Sequence, residues 1–270
     1  MYPIFFEVGS FPVHGYGFCI ALGALLGLFY MAWQGKKQIG LSFDDANSLF
    51  LLIMLAAIVG GKFFFFLENP VYYLKNFTKL FTGGGFVFYG SFLFAVPTML
   101  WFFKRKKIPT LAMLDIMAIV TCIVHGFGRI GCFMAGCCYG KPTESIFGVT
   151  FTNPVCQAQP LNTSLHPTQL YEAGYIFCIL ILLSFLKARK QFDGQLFLLY
   201  LMLYAVGRGI LEIFRGDVAR GFIIDNWLSH SQFISLTIIG VAVFYYIRLS
   251  KNATSSKKAA LWKTKASDKK

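Results

Sequence analysis

The sequence predicts an all-α integral membrane protein with seven transmembrane helices. Three observations carry that prediction. The 270 residues are 56% hydrophobic with a mean hydropathy of +0.61, and only 14% are charged, against roughly 25% in a soluble domain. The charges sit in clumps. Between the clumps run apolar stretches close to the ~20 residues that a helix needs to cross a bilayer.

The spans fall at 15–33, 46–67, 86–103, 111–127, 168–186, 195–214 and 232–249. Lys36 and Lys37 follow the first, and Lys104-Arg105-Lys106-Lys107 the third. Lys187, Arg189 and Lys190 follow the fifth, and Arg248 with the basic tail closes the seventh. These clusters fall on one side and hold seventeen of the 25 basic residues. The positive-inside rule makes that side the cytoplasm. Seven spans then leave the N-terminus outside and the C-terminus inside. Residues 1–250 read as one domain, with a long outer loop region at 128–167 that is too polar to span. Residues 251–270 read as a basic cytoplasmic tail without regular structure. Gly83, Gly84 and Gly85 predict an outer turn before the third span.

Other classes fit less well. Glu7 precedes the first apolar run and no basic region does, so a cleaved signal is not expected. The net charge of +13 is what cytoplasmic loops carry, so no nucleic-acid partner is expected. Eight basic residues remain, Lys62, Lys75, Lys79, Arg129, Lys141, Arg208, Arg215 and Arg220. They lie within helices or on the outer side, where a second explanation is needed.

Three stretches carry chemistry. The first is Gly128-Arg129-Ile130-Gly131-Cys132-Phe133-Met134-Ala135-Gly136-Cys137-Cys138-Tyr139-Gly140. Arg129 is a planar, always-charged donor beside hydrocarbon, suited to a bidentate grip on phosphate. A snorkelling arginine beside a packing motif is the plainer alternative. Gly131, Gly136 and Gly140 let backbone approach a headgroup. The second stretch is His166-Pro167-Thr168-Gln169-Leu170-Tyr171-Glu172. Pro167 suits a helix start, and Glu172 near the membrane boundary is costly unless paired. In the third, Arg208 and Glu212 are four apart on one helical face. Glu212 either orients Arg208 or forms a purely structural pair with it. Tyr16, Lys62 and Tyr89 are weaker candidates on the outer half. Cys132 to Cys137 has a spacing that zinc accepts, but no good second pair follows, so no metal is expected. A disulfide involving Cys156 and simple packing thiols stay open.

Taken in order, these residues resemble bacterial prolipoprotein diacylglyceryl transferases over nearly all of residues 1–250. The resemblance implies a multi-pass enzyme of the bacterial inner membrane with a periplasmic N-terminus. It would move a diacylglyceryl group from phosphatidylglycerol to the lipobox cysteine of a prolipoprotein signal peptide, releasing glycerol phosphate. Membrane lipids are the other partners, and no cofactor is implied. Arg129 and Gly140 match the family's signature arginine and closing glycine. Arg208 and Glu212 match its late-helix pair, and Tyr16 its N-terminal tyrosine. Three positions depart: Cys132 stands for an asparagine, Cys137 for an acidic residue, and Tyr89-Gly90-Ser91 for His-Gly-Gly. Tyrosine is a poor base at neutral pH, and His14 and His166 are the nearest alternatives by topology. On this reading Arg129, Arg208, Glu212, Tyr16 and Tyr89 form the catalytic set. Lys62, Gly131, Gly136, Gly140, His166, Gln169, Tyr171 and Glu172 bind substrate beside Arg129. A diverged paralogue, a transporter using the intramembrane charges, and a thiol-redox protein using the cysteines are the other readings.

Overall fold

The computed structural model describes residues 3–9, 11–82, 85–215, 222–224 and 228–267. Gly83, Gly84 and Arg220 lie outside the described residues. In chain order the elements are β1 (Ile4–Val8), β2 (Phe11–His14), α1 (Gly15–Ile39), α2 (Phe43–Glu68), α3 (Pro70–Lys75), α4 (Phe77–Thr82), α5 (Phe88–Arg105) and α6 (Thr110–Ala135). There follow β3 (Val149–Thr150), β4 (Ser164–Leu165), α7 (Thr168–Leu186), α8 (Gln195–Leu211), β5 (Phe222–Ile224), β6 (Leu228–Ser229) and α9 (His230–Ser267). The strands form three two-stranded antiparallel pairs, β1 with β2, β3 with β4 and β5 with β6. Helices dominate because a backbone in hydrocarbon must satisfy its own polar groups.

Among the described residues, six helices are long and apolar enough to cross a membrane: Gly15–Ile39, Phe43–Glu68, Thr110–Ala135, Thr168–Arg189, Gln195–Phe214 and His230–Thr254. The span expected at 86–103 is not among them. Helix α5 starts on Phe88-Tyr89-Gly90-Ser91 and ends on Lys104-Arg105. Its apolar part, 92–103, rises only about 18 Å. The fourth span also differs from expectation, because α6 runs on to Ala135. Gly126, Gly128 and Gly131 cost helix propensity, but an unpaired backbone group near hydrocarbon costs more. The tail was expected without regular structure, yet the helical backbone of α9 continues to Ser267.

The chain divides into two units, Met1–Gly27 with Leu114–Lys270, and Leu28–Met113. In the first, Gly23 and Gly27 of α1 face Val124 and Phe127 of α6, and an added Cβ on Gly23 would lie 2.7 Å from Phe127 Cβ. Small residues let the two backbones pack closely. Helix α8 has no side-chain cap of its own at Gly194. Asp115 of α6 supplies one, accepting from the backbone N–H of Gly194 at 2.9 Å and of Phe197 at 3.0 Å. Lys190 Nζ adds an ion pair to the same carboxylate at 3.2 Å. In the second unit α2 crosses α5 where Gly60 meets Gly90. At the other end of the same helix pair, Lys106 pairs with Asp45 at 2.7 Å.

Candidate active site

The site grows from the end of α6. His125, Arg129 and Cys132 share one helical face by their spacing. Arg129 Nη2 lies 3.1 Å from Glu172 Oε1 on α7, and the Glu172 side chain is only 3% exposed. His125 Nε2 is 3.2 Å from Arg129 Nε and 3.3 Å from the same carboxylate oxygen. The Arg129 Nε–H donates to that ring nitrogen, so the imidazole sits between the guanidinium and the Glu172 carboxylate.

Helix α8 brings the second charged pair. Arg208 Nη2 lies 2.7 Å from Glu212 Oε2, both side chains 12% exposed. The other terminal nitrogen of Arg208 is buried with no hydrogen-bond partner among the described residues. Arg208 also interacts with Glu172 across the helices. The Tyr204 ring packs 5.4 Å from the His125 ring and feels Glu172, Arg129, Arg208 and Arg215. Arg215 is buried, and its backbone bridges to Gly140. Among the described residues, three guanidiniums thus gather round two carboxylates.

The loop after α6 is held by the start of α7. Thr168 Oγ1 donates to Cys138 O at 2.7 Å, and Gln169 Nε2 to Cys137 O at 2.6 Å. The Gly140 N–H donates to His166 O at 2.8 Å. Gly136 and Cys138 take φ of +75° and +62°, a left-handed geometry uncommon for a non-glycine residue. A Cβ on Gly140 would lie 2.6 Å from both His166 Cβ and Phe214 O. The space beside Gly131 is likewise taken, by Tyr16 and Cys19, and beside Gly136 by Cys156. At all three glycines the position of a side chain is thus already filled by protein. His166 Nδ1 sits 3.2 Å from Tyr171 Oη, and its ring packs on Phe214.

All seven cysteines are free, so the open disulfide reading gains no pair. The sulfurs of Cys132, Cys137 and Cys138 nevertheless lie within 4.8 Å of one another. Hydrogen bonds from Cys132 and Cys137, with Arg129 and Arg215 nearby, hold the Cys138 thiol well below its ordinary value. The same network, with burial, pushes Cys137 up.

Tyr16, Arg129, Gly131, Gly136, Gly140, His166, Gln169, Tyr171, Glu172, Arg208 and Glu212 all belong to the first unit. Tyr16, at the start of α1, touches Gly131 and interacts with Arg129 and the three thiols. Lys62 and Tyr89 belong to the second unit. There Lys62 Nζ lies 5.7 Å from the Phe65 ring centroid, and Tyr89 is 67% exposed. Sequence reasoning singled out Arg215 only as a basic residue in need of an explanation, and it missed His125 and Tyr204. Both of these carried a signal: His125 is one helical turn before Arg129, and Tyr204 one turn before Arg208.

Comparison with known proteins bears on this arrangement. A family model described as prolipoprotein diacylglyceryl transferase matches residues 3–248. The chain is 38% identical over 260 residues to a phosphatidylglycerol–prolipoprotein diacylglyceryl transferase of Clostridium tetani, covering 93% of this chain and 100% of that protein. It is 31% identical over 259 residues to a protein of the same name from Dehalococcoides mccartyi, covering 94% and 96%. A Clostridium perfringens protein of that name, numbered 2, is 29% identical over 248 residues, covering 91% and 94%.

Proposed function

The chain belongs to the prolipoprotein diacylglyceryl transferase family, and on that premise we propose that it transfers the diacylglyceryl group of phosphatidylglycerol to the lipobox cysteine of a prolipoprotein. In the reaction a thiolate sulfur attacks the glyceryl carbon that bears the phosphate. A C–S bond forms, the C–O bond breaks with its electron pair going to oxygen, and glycerol phosphate leaves. The diester carries one negative charge and the leaving monoester gains a second. Fixed cations in a water-poor site favour that change.

One observation carries the assignment of the phosphate clamp. Arg208 has a buried nitrogen without a partner among the described residues, and its charge acts on the Glu172 carboxylate that also holds Arg129. Buried donors are rarely left unpaired, and a phosphate oxygen would satisfy this one. Arg129 and Arg208 grip the phosphate in this reading. Glu172 and Glu212 orient them, and Tyr16 stands at the loop where the acceptor enters. An apolar groove of about 370 Å³ between α8 and α9, lined by Val206, Ile210, Ile213, Leu236 and Ile239, offers acyl chains a surface.

The membrane arrangement follows the same reading. Helix α5 completes seven spans, with the basic clusters in the cytoplasm and the site at the outer leaflet of the inner membrane. The test is lipid transfer from phosphatidylglycerol to a lipobox peptide by purified Arg129→Ala and Arg208→Ala. Loss in both is expected, and wild-type rates in both would sink the clamp.

A further inference from the structure

We propose that Cys132, Cys137 and Cys138 form a three-thiolate zinc site whose fourth position receives the thiol of the acceptor cysteine. The proposal rests on the transferase reading and supplies what that reading lacks, a way to ionise the acceptor. It departs from the sequence expectation of no metal. Spacing alone exposed one cysteine pair, whereas folding gathers three sulfurs.

Geometry carries the argument. The sulfurs lie within 4.8 Å of one another, and all three residues are half-buried and free. Zinc–sulfur bonds of ~2.3 Å in a tetrahedral site set sulfurs about 3.8 Å apart. Closing the cluster onto a metal therefore needs shifts of no more than about 1 Å. The backbone that brings them together is fixed. The Cys137 N–H donates to Cys132 O at 3.1 Å, where the helix ends. Gly136 and Cys138 then turn the chain back through left-handed conformations. Gln169 and Thr168 hold the carbonyls of Cys137 and Cys138 from α7. A strained non-glycine backbone held this firmly is a feature of functional sites.

The donor count points to a reactive centre. No fourth His, Cys, Asp or Glu joins the cluster among the described residues. Cys156 lies beside Gly136 but is buried among Phe151, Ala158 and Leu165. Structural zinc sites are closed by four protein ligands, whereas catalytic ones keep one position open. Three thiolates and one zinc ion carry one net negative charge. Arg129 and Arg215 lie near enough to Cys138 to offset it.

The chemistry matches the transfer. Free cysteine has a reference pKa of about 8.5, so little of it is thiolate at neutral pH. Coordination to zinc deprotonates a thiol. The acceptor S–H would give its proton to water as its sulfur binds zinc. The bound sulfur then forms the C–S bond, while the C–O bond breaks with its electron pair going to the phosphate oxygen at the arginines. The thioether product is a weak ligand and leaves, and water takes its place. Nothing is oxidised or reduced. The released proton balances the second negative charge on glycerol phosphate.

The test uses the full chain purified in detergent, with zinc measured by mass spectrometry. A stoichiometric amount of zinc is expected in wild type and a loss in Cys132→Ser, Cys137→Ser and Cys138→Ser, each checked for folding by gel filtration. Replacing zinc by cobalt(II) should give sulfur-to-cobalt absorption that shifts when a lipobox peptide is added, but not when its cysteine is serine. This second measurement needs no variant of the enzyme. A zinc chelator should slow transfer roughly tenfold, after allowing for the lower nucleophilicity of a bound thiolate, and added zinc should restore it. Metal-free wild type with full activity, a cobalt spectrum blind to the peptide, or a disulfide among the three cysteines would overturn the site. If zinc binds and the spectrum responds but phosphatidylglycerol is not consumed, the transferase reading fails and the site stands. If transfer continues unchanged without metal, the site fails and the transferase stands.

Discussion

Arg129 Nη2 and Glu172 Oε1, 3.1 Å apart, tie the last turns of α6 to the opening turns of α7. The contact is buried on the carboxylate side. Breaking a buried pair by removing one partner typically costs 3–5 kcal/mol. Glu172→Gln is therefore expected to lower the melting temperature in detergent and to slow lipid transfer about 100-fold, which is about 2.7 kcal/mol of barrier. Arg129→Lys keeps the charge but loses the planar fork. It should bind the peptide normally and lose turnover. An unchanged melting curve and rate for Glu172→Gln would remove its positioning role.

His125 bridges that pair without being predicted to. If its role is to position Arg129 and Glu172, an amide should replace it and a phenyl ring should not. His125→Phe is expected to cost roughly tenfold in turnover, a typical loss for a hydrogen bond to a charged group. His125→Gln should recover most of it. Equal rates for the two variants would argue that only the ring volume matters.

Gly140 stands where three segments meet. A methyl group there would press on His166 Cβ and on the Phe214 carbonyl, both at 2.6 Å. Neither is the flexible end of a side chain. Overpacking of this kind costs about 1–3 kcal/mol, so Gly140→Ala should melt several degrees lower and lose activity together with stability. Wild-type stability would show that the loop yields.

A pH effect is expected at the opposite end of α6. Burial works against the charge on Lys190, but its hydrogen bond to Asp193 and the attraction of Asp115 outweigh it and hold the ammonium above its ordinary value. For a raised value, the contribution to stability is complete below the unfolded pKa of about 10.4 and fades as pH rises through the folded one. Partial exposure limits it to roughly 1 kcal/mol. Lys190→Met should melt below wild type at neutral pH, and the gap should close above about pH 10.4. A gap that stays constant in alkali would refute the ion pair's contribution.

Much of the fold was legible because hydrocarbon imposes strict rules. Bilayer thickness sets the length of an apolar run, so six of the predicted spans reappear as long helices. The run at 86–103 was the exception, since polar residues at both ends shorten its apolar part. Arg129, Glu172, Arg208 and Glu212 were legible because a charge in an apolar helix needs a partner. The pairing of Arg208 with Glu212 was legible too, from their four-residue spacing, but the partner of Arg129 was not. Glu172 joins a residue on another helix, and sequence spacing says nothing about pairs between helices. His125 escaped because a lone histidine in an apolar stretch reads as packing. The sulfur cluster escaped because it depends on two backbone turns, at Gly136 and Cys138, and the second breaks the usual preference of its residue type.

Asp115 has a consequence for motion. Its carboxylate fastens the start of α8 to α6 near the end of each helix that lies far from Arg129 and Arg208. Arg129 sits about 21 Å along α6 from that point, and Arg208 about 20 Å along α8. At the other end the segments that follow the same two helices are joined again, through the Gly140–Arg215 bridge and the Lys141 N–H to Phe214 O bond at 3.0 Å. The two arginines therefore sit in a frame tied at both ends. A substitution at Asp115 would loosen one of those ties about 20 Å from Arg129 and Arg208.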